Sequence, residues 1–234
     1  AGRAPTFAHR ALTSEEKEEA QKFRQRIRKL CATGYELGVR ILIDAEDSWY
    51  QNFIDEVVTE NMEAFNKERA IVYNTLQMYR RDRLDYLHKA HQESVDKGYF
   101  YGVKFVRGAY MEKERKRASR LNYPDPIQPD KASTDRDYDA GLKYSIDHID
   151  NMEIFNGTHN EKSSRYLADL VTKKGLSPSD NRIWFAQLYG MSDHISFNLA
   201  HHGFNVAKYV PYGPVKAVLP YLIRRAEENT SIAG

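Results

Sequence analysis

The chain has 234 residues, a formal net charge of +2 and 41% apolar residues, enough for one sizeable core. So balanced a charge gives no global field for nucleic acid or an acidic partner, and the single cysteine, Cys31, excludes a disulfide framework and argues against a cysteine zinc site, in keeping with a reducing compartment. No apolar run approaches the roughly 20 residues that span a bilayer, and the opening "AGRAPTFAHRALTSEEKEEA" has neither the apolar core of a secretory signal nor an initial Met, as a processed or excised chain would show.

In chain order, "LTSEEKEEAQKFRQRIRKLCATGYELG" reads as a helix capped by Thr13 or Ser14, with Gly38 past its end. "VRILIDAE" is a short buried strand, and "SWYQNFIDEVVTENMEAFN" returns to helical spacing. The alternation continues through strand "AIVYNT", helix "RRDRLDYLHKAHQESVDKG", strand "GVKFVRGAY" and helix "MEKERKRASRL". After the Pro-rich loop "NYPDPIQPD" come helix "TDRDYDAGLKYSIDHI", strand "EIFNGTHN" and helix "EKSSRYLADLVTKKG". "RIWFAQLYG" and "NVAKYVPYG" are the last strands, and "PVKAVLPYLIRRAEEN" is a final helix that Pro220 interrupts or restarts. Alternating β and α units predict a parallel sheet, either open or closed as a barrel, with about six strands. No composition break divides residues 1–234, so they read as a single domain.

Polar and aromatic residues follow the strands, at the edge where parallel α/β folds carry their sites. Asp44 in "IDAED" could orient a cation or a catalytic group; the alternative, a helix cap, falls better to Asp47 or Ser48. Gln77 could bond a cofactor edge or face solvent. Gly108 and Ala109 in "VRGAY" leave room for a flat ring or make a tight turn. Thr158 and His159 in "GTHN" offer donors to a phosphate or start a helix. Tyr221, Arg224 and Arg225 share a helix face and together suit a carboxylate, or form a solvated basic face with Arg224 paired to Glu228. No G-x-G-x-x-G, P-loop, H-E-x-x-H or G-x-S-x-G pattern occurs. The adjacent pair His201–His202 does not make a metal site, and "MEKERKRASR", with interleaved glutamates, reads as a solvated helix face rather than a nucleic-acid contact.

The segments "LIDAED", "IVYNTLQMY", "VKFVRGAYMEKER", "YPDPIQPDKASTDRDYD", "GTHNE", "FAQLYGMSDHISFNLA" and "GFNVAKYVPYGPVKAVLPYLIRRAEEN" resemble, in order, the monofunctional proline dehydrogenases. The wording looks bacterial and is close to the mitochondrial members. The resemblance implies a distorted (βα)8 TIM-type barrel holding FAD. Its reaction is oxidation of L-proline to 1-pyrroline-5-carboxylate, by hydride transfer from C5 to flavin N5, with electrons passed to a membrane quinone. It implies a bacterial cytoplasmic enzyme with peripheral contact at the inner membrane, or a mitochondrial one, with no resident metal. Arg224 and Arg225 would clamp the substrate carboxylate, with Tyr110, Leu188, Tyr209 and Tyr221 around the ring. Asp44 and Lys104 would be catalytic, Lys104 lying near N5. Ala45, Gln77, Val106, Arg107, Gly108 and Ala109 would line the flavin, with Thr158 and His159 toward its phosphate. A Tyr at 209 favours proline over hydroxyproline.

The family's substrate-site lysine lies on a strand ahead of "LIDAED". Here about 40 residues precede that segment and read as a helix with a lead. The expectation is therefore a barrel lacking its N-terminal strands, about six βα units with exposed edges. A barrel enzyme on a small carboxylate without flavin, or an inactive interaction protein, are the alternatives.

Overall fold

The computed structural model describes residues 14–216 and 218–223. Short runs rich in Ile, Val, Tyr and Phe become strands, because such side chains pack well on a pleated surface. They are β1 (Ile41–Ile43), β2 (Val72–Gln77), β3 (Tyr101–Val106), β4 (Met152–Gly157), β5 (Ile183–Leu188) and β6 (Val206–Tyr209). The named helices are α1 (Ser14–Leu37), α2 (Ser48–Phe65), α3 (Arg83–Lys97), α4 (Met111–Leu121), α5 (Lys131–Asp147), α6 (Glu161–Lys173) and α7 (Asp193–His201). All strand pairs are parallel, in the order β1-β2-β3-β4-β5-β6.

The sheet is curled. Arg40, just before β1, donates from Nη2 to the carbonyl oxygen of Asn181 at 2.6 Å, and its guanidinium lies 5.5 Å from the Trp184 ring on β5. In a flat sheet those two strands would stand roughly 19 Å apart, beyond the reach of one side chain. The result is an incomplete (βα)8 barrel, with β1 and β6 as its edges among the described residues.

Alternation assigns the two faces. Outward residues pack under the helices: Phe105 sits 5.9 Å from the Tyr138 ring of α5. Gly141 permits that approach, since a Cβ there would lie 2.7 Å from Phe105. The inward row at mid-height is Thr75, Lys104, Phe155 and Trp184, adjacent by register. Phe155 and Trp184 stack with centroids 5.8 Å apart.

Three expectations need correction. Neither Asp47 nor Ser48 caps α2 with its own side chain. Glu114 of α4 does so, accepting from the Ser48 N–H at 2.6 Å and the Ser48 hydroxyl at 2.7 Å, while Asp47 accepts from Lys113 at 2.5 Å. The run "MEKERKRASR" is consequently not wholly solvated: Glu114 is buried. It also has aromatic neighbours in space, with Arg117 lying 4.3 Å over the Trp49 ring. Finally, "DHISFNLAH" forms α7, which the alternation of apolar residues did not reveal. Helical backbone at 215–216 and 218–223 passes through Pro220.

Candidate active site

The loops after the strands gather three clusters at one mouth. The first centres on β3. Lys104 points from the inward row, and its Nζ meets Asp44 Oδ1 at 2.5 Å, joining residues 60 apart in sequence. Asp44 remains solvent-facing while Lys104 is largely covered. The aliphatic stem of Lys104 runs beside Gly157, where a Cβ would sit 3.5 Å from its Cε. Thr75, next to Lys104 in register, has a buried hydroxyl oxygen with no hydrogen-bond partner.

Gln77 is buried rather than solvent-facing, and its amide donates to the Glu46 carbonyl at 2.8 Å. Ala45 is half-buried between Asp44 and Glu46. The Tyr110 hydroxyl donates to Glu46 Oε2 at 3.2 Å. Crowding by protein lifts the Glu46 carboxyl above the ordinary range; the Tyr110 bond opposes that lift, and the charges of Asp47 and Asp44 add to it.

The second cluster centres on Arg107. Its Nε donates to Asp135 at 2.8 Å, Nη1 to Thr158 Oγ1 at 2.7 Å and Nη2 to Ser163 Oγ at 3.0 Å, with the guanidinium 4.4 Å over the Tyr138 ring. One side chain thus ties the ends of β3 and β4 to α5 and α6. Burial raises the Asp135 carboxyl, but the bonds from Lys131 and Arg107 more than reverse this and hold it low. His159 Nδ1 bonds Ser192 Oγ at 2.9 Å, and Ser192 takes the left-handed conformation at φ 52°. Beside this cluster lies a cleft of about 600 Å³ lined by Lys131, Lys162, Arg165, His159 and Asn160 among others.

Between the two clusters, Val106 is half-buried, and Gly108 and Ala109 are exposed. Gly108 has φ 133°, and a Cβ there would come within 2.5 Å of the Tyr79 ring, so only glycine fits this turn.

The third cluster joins Leu188 and Tyr209, register partners on β5 and β6, to Tyr221, whose ring is 5.5 Å from that of Tyr209. Arg224 and Arg225 lie outside the described residues. Glu46, Asp135 and Thr75 were not singled out in the sequence. Glu46 alone had a signal, two positions after Asp44 in the same "DAED". Among the described residues, no group of three or more His, Cys, Asp or Glu side chains could hold a metal ion, and no helix is long and apolar enough to cross a membrane.

The family model described as "Proline dehydrogenase" matches residues 3–234. "Proline dehydrogenase 1, mitochondrial" of Caenorhabditis elegans is 40% identical over 223 residues, covering 92% of this chain and 36% of the relative. The human protein of the same name is 39% identical over 224 residues, covering 94% and 37%. The chain thus spans little more than a third of the length of these relatives. A solved structure of proline utilization A from Bdellovibrio bacteriovorus, inactivated by N-propargylglycine, superposes with a TM-score of 0.83 at 25% identity, covering 92% of this chain and 22% of that one.

Proposed function

The chain belongs to the proline dehydrogenase family, and on that premise we propose that it carries the mouth of a flavin-dependent enzyme. The reaction is oxidation of L-proline to 1-pyrroline-5-carboxylate, with electrons passed on to a quinone. The observation that carries this reading is the Lys104–Asp44 ion pair on the inward face, with Tyr110 beside it through Glu46.

The residues present suit FAD. The unpartnered Thr75 hydroxyl lies beside Lys104 on the inward face. The cleft beside Arg107 carries Lys131, Lys162 and Arg165 together with Asp135, Asp139 and Glu161; Lys131 pairs with Asp135 and Arg165 with Glu161, so Lys162 is the cation we assign to a pyrophosphate. Arg107 itself is committed to Asp135, Thr158 and Ser163, so its part is to hold the walls of that cleft.

Bound FAD supplies the two-electron acceptor. The side chains supply orientation and charge. Leu188, Tyr209 and Tyr221 are assigned to a wall for a small ring, together with Tyr110 on the loop after β3. Arg224 and Arg225 are assigned the substrate carboxylate, a planar match of guanidinium to carboxylate. Lys104 would present a positive charge to the bound acceptor, and Asp44 holds its ammonium in place. No nucleophile is required, because oxidation of a held amine depends chiefly on placement.

The membrane quinone implies a peripheral membrane contact, and the mitochondrial names of the relatives favour that compartment over a bacterial cytoplasm. The absorption spectrum of the full-length protein tests the reading. Flavin bands that bleach on anaerobic addition of L-proline are expected. Absence of flavin, or flavin indifferent to proline, would remove it in favour of another carboxylate enzyme or an interaction protein.

A further inference from the structure

We propose that Gln51 of α2 is a positioning residue, whose amide fixes the loop that carries Asp44 and so holds the Lys104 ammonium at the site. The inference rests on the reading above. Asp44 is solvent-facing, and its carboxylate bonds Lys104. Its place depends on the main chain that carries it, and that chain is gripped two residues on, at Glu46. The Glu46 N–H donates to Gln51 Oε1 at 3.0 Å, and the Glu46 carbonyl accepts from the Gln77 amide at 2.8 Å. Gln51 and Gln77 are both buried, so water competes little for either bond.

The Gln51 amide is itself held on its other side. Its Nε2 donates at 2.8 Å to Oδ1 of the buried Asp55, one helical turn on. Asp55 also accepts from Asn74 Nδ2 at 2.9 Å and from Arg83 Nη1 at 2.8 Å, which ties its carboxylate to β2 and α3. A carboxylate paired with a guanidinium only accepts, so Gln51 must turn its NH2 to Asp55 and its oxygen to the loop. Gln51 thus extends a buried anchor, the Asp55 cluster between α2, β2 and α3, to the chain leaving β1. Asp47 and Ser48 are held separately, by Lys113 and Glu114 of α4. Those bonds fix the start of α2, whereas the grip at Glu46 lies nearer to Asp44.

The test uses the full-length protein and begins with amide hydrogen exchange. In wild type the Glu46 amide is protected like those of β1. In Gln51→Met, which keeps the side-chain length without the amide, it exchanges about tenfold faster or more. With FAD bound, kcat for L-proline falls about tenfold with KM little changed. The flavin is reduced about tenfold less favourably, a potential lower by about 30 mV. In a Lys104→Met background, Gln51→Met lowers neither kcat nor the potential further, because its effect passes through the ammonium. A fast-exchanging Glu46 amide in wild type overturns the proposal, even if Gln51→Met does not fold. So does a Gln51→Met protein whose potential and kcat are unmoved, or whose cost persists without Lys104. Wild-type protein without flavin, or with flavin indifferent to proline, removes the reading of function instead. Amide exchange then decides alone whether Gln51 holds the Asp44 loop.

Discussion

Arg40 and Asn181 meet across the open barrel. The guanidinium donates to the backbone carbonyl at 2.6 Å, tying the start of β1 to the turn before β5. The same side chain donates to the Tyr73 hydroxyl at 2.9 Å and to Glu153, whose Oε2 also accepts from Tyr73 at 2.5 Å. This network holds the curl from below while the site opens above. Arg40→Met leaves the buried Glu153 without its cation and removes the tie. We expect a loss of about 2 kcal/mol, read as a lower urea midpoint.

On the proposed reading, Lys104→Met removes the positive charge that Asp44 holds on the inward face. Turnover of L-proline falls by about 100-fold or more, measured by steady-state kinetics, and Lys104→Arg recovers part of it. Because Asp44 is mostly exposed, the pair adds little to folding, so the melting temperature of Lys104→Met stays close to wild type. A collapse of stability would recast the pair as structural.

Gly108→Ala strains the backbone at φ 133° and drives a methyl into the buried Tyr79 ring. The cost is about 2–3 kcal/mol, confined to the β3–α4 turn. Thermal unfolding reports the loss, and the variant binds flavin more weakly in a dialysis assay. An unchanged melting curve and unchanged flavin content would show that the turn relaxes freely.

His91 links stability to pH. Its Nδ1 accepts from the Tyr144 hydroxyl at 2.8 Å and its Nε2 donates to Asn151 Oδ1 at 3.0 Å, an arrangement suited to a neutral ring. Burial lowers its pKa below the ordinary 6.5, outweighing the Asn151 bond, and the neighbouring His148 and His88 lower it further. The unfolded state therefore binds the proton more readily. The contribution is fully present above pH 6.5 and is lost as pH falls through the lowered value. Urea midpoints measured from pH 8 down to about pH 5 should decline, and His91→Gln should flatten that decline.

The barrel strands were legible because each is an apolar run bounded by a helix stop and a polar loop, as in "YGVKFVRG". Helix α7 was hidden, because nine residues with two histidines and an asparagine give too few periodic apolar positions. The cap of α2 was hidden for another reason. Its acceptor, Glu114, lies 66 residues away in a run that looks like exposed surface. Asp44 stood out by its place after the first apolar run and Lys104 through the resemblance, whereas Glu46 bonds Gln77 and Tyr110 only in the tertiary arrangement.

The strand order follows the chain order from β1 to β6 without a swap. Each new strand has its pairing edge already in place when it emerges from the ribosome, and no strand must wait for a later one to be inserted between neighbours. Assembly can therefore proceed vectorially, with every crossover closing a loop of one helix or two. Slow steps then arise where the loop is longest, between β3 and β4, which α4 and α5 both occupy.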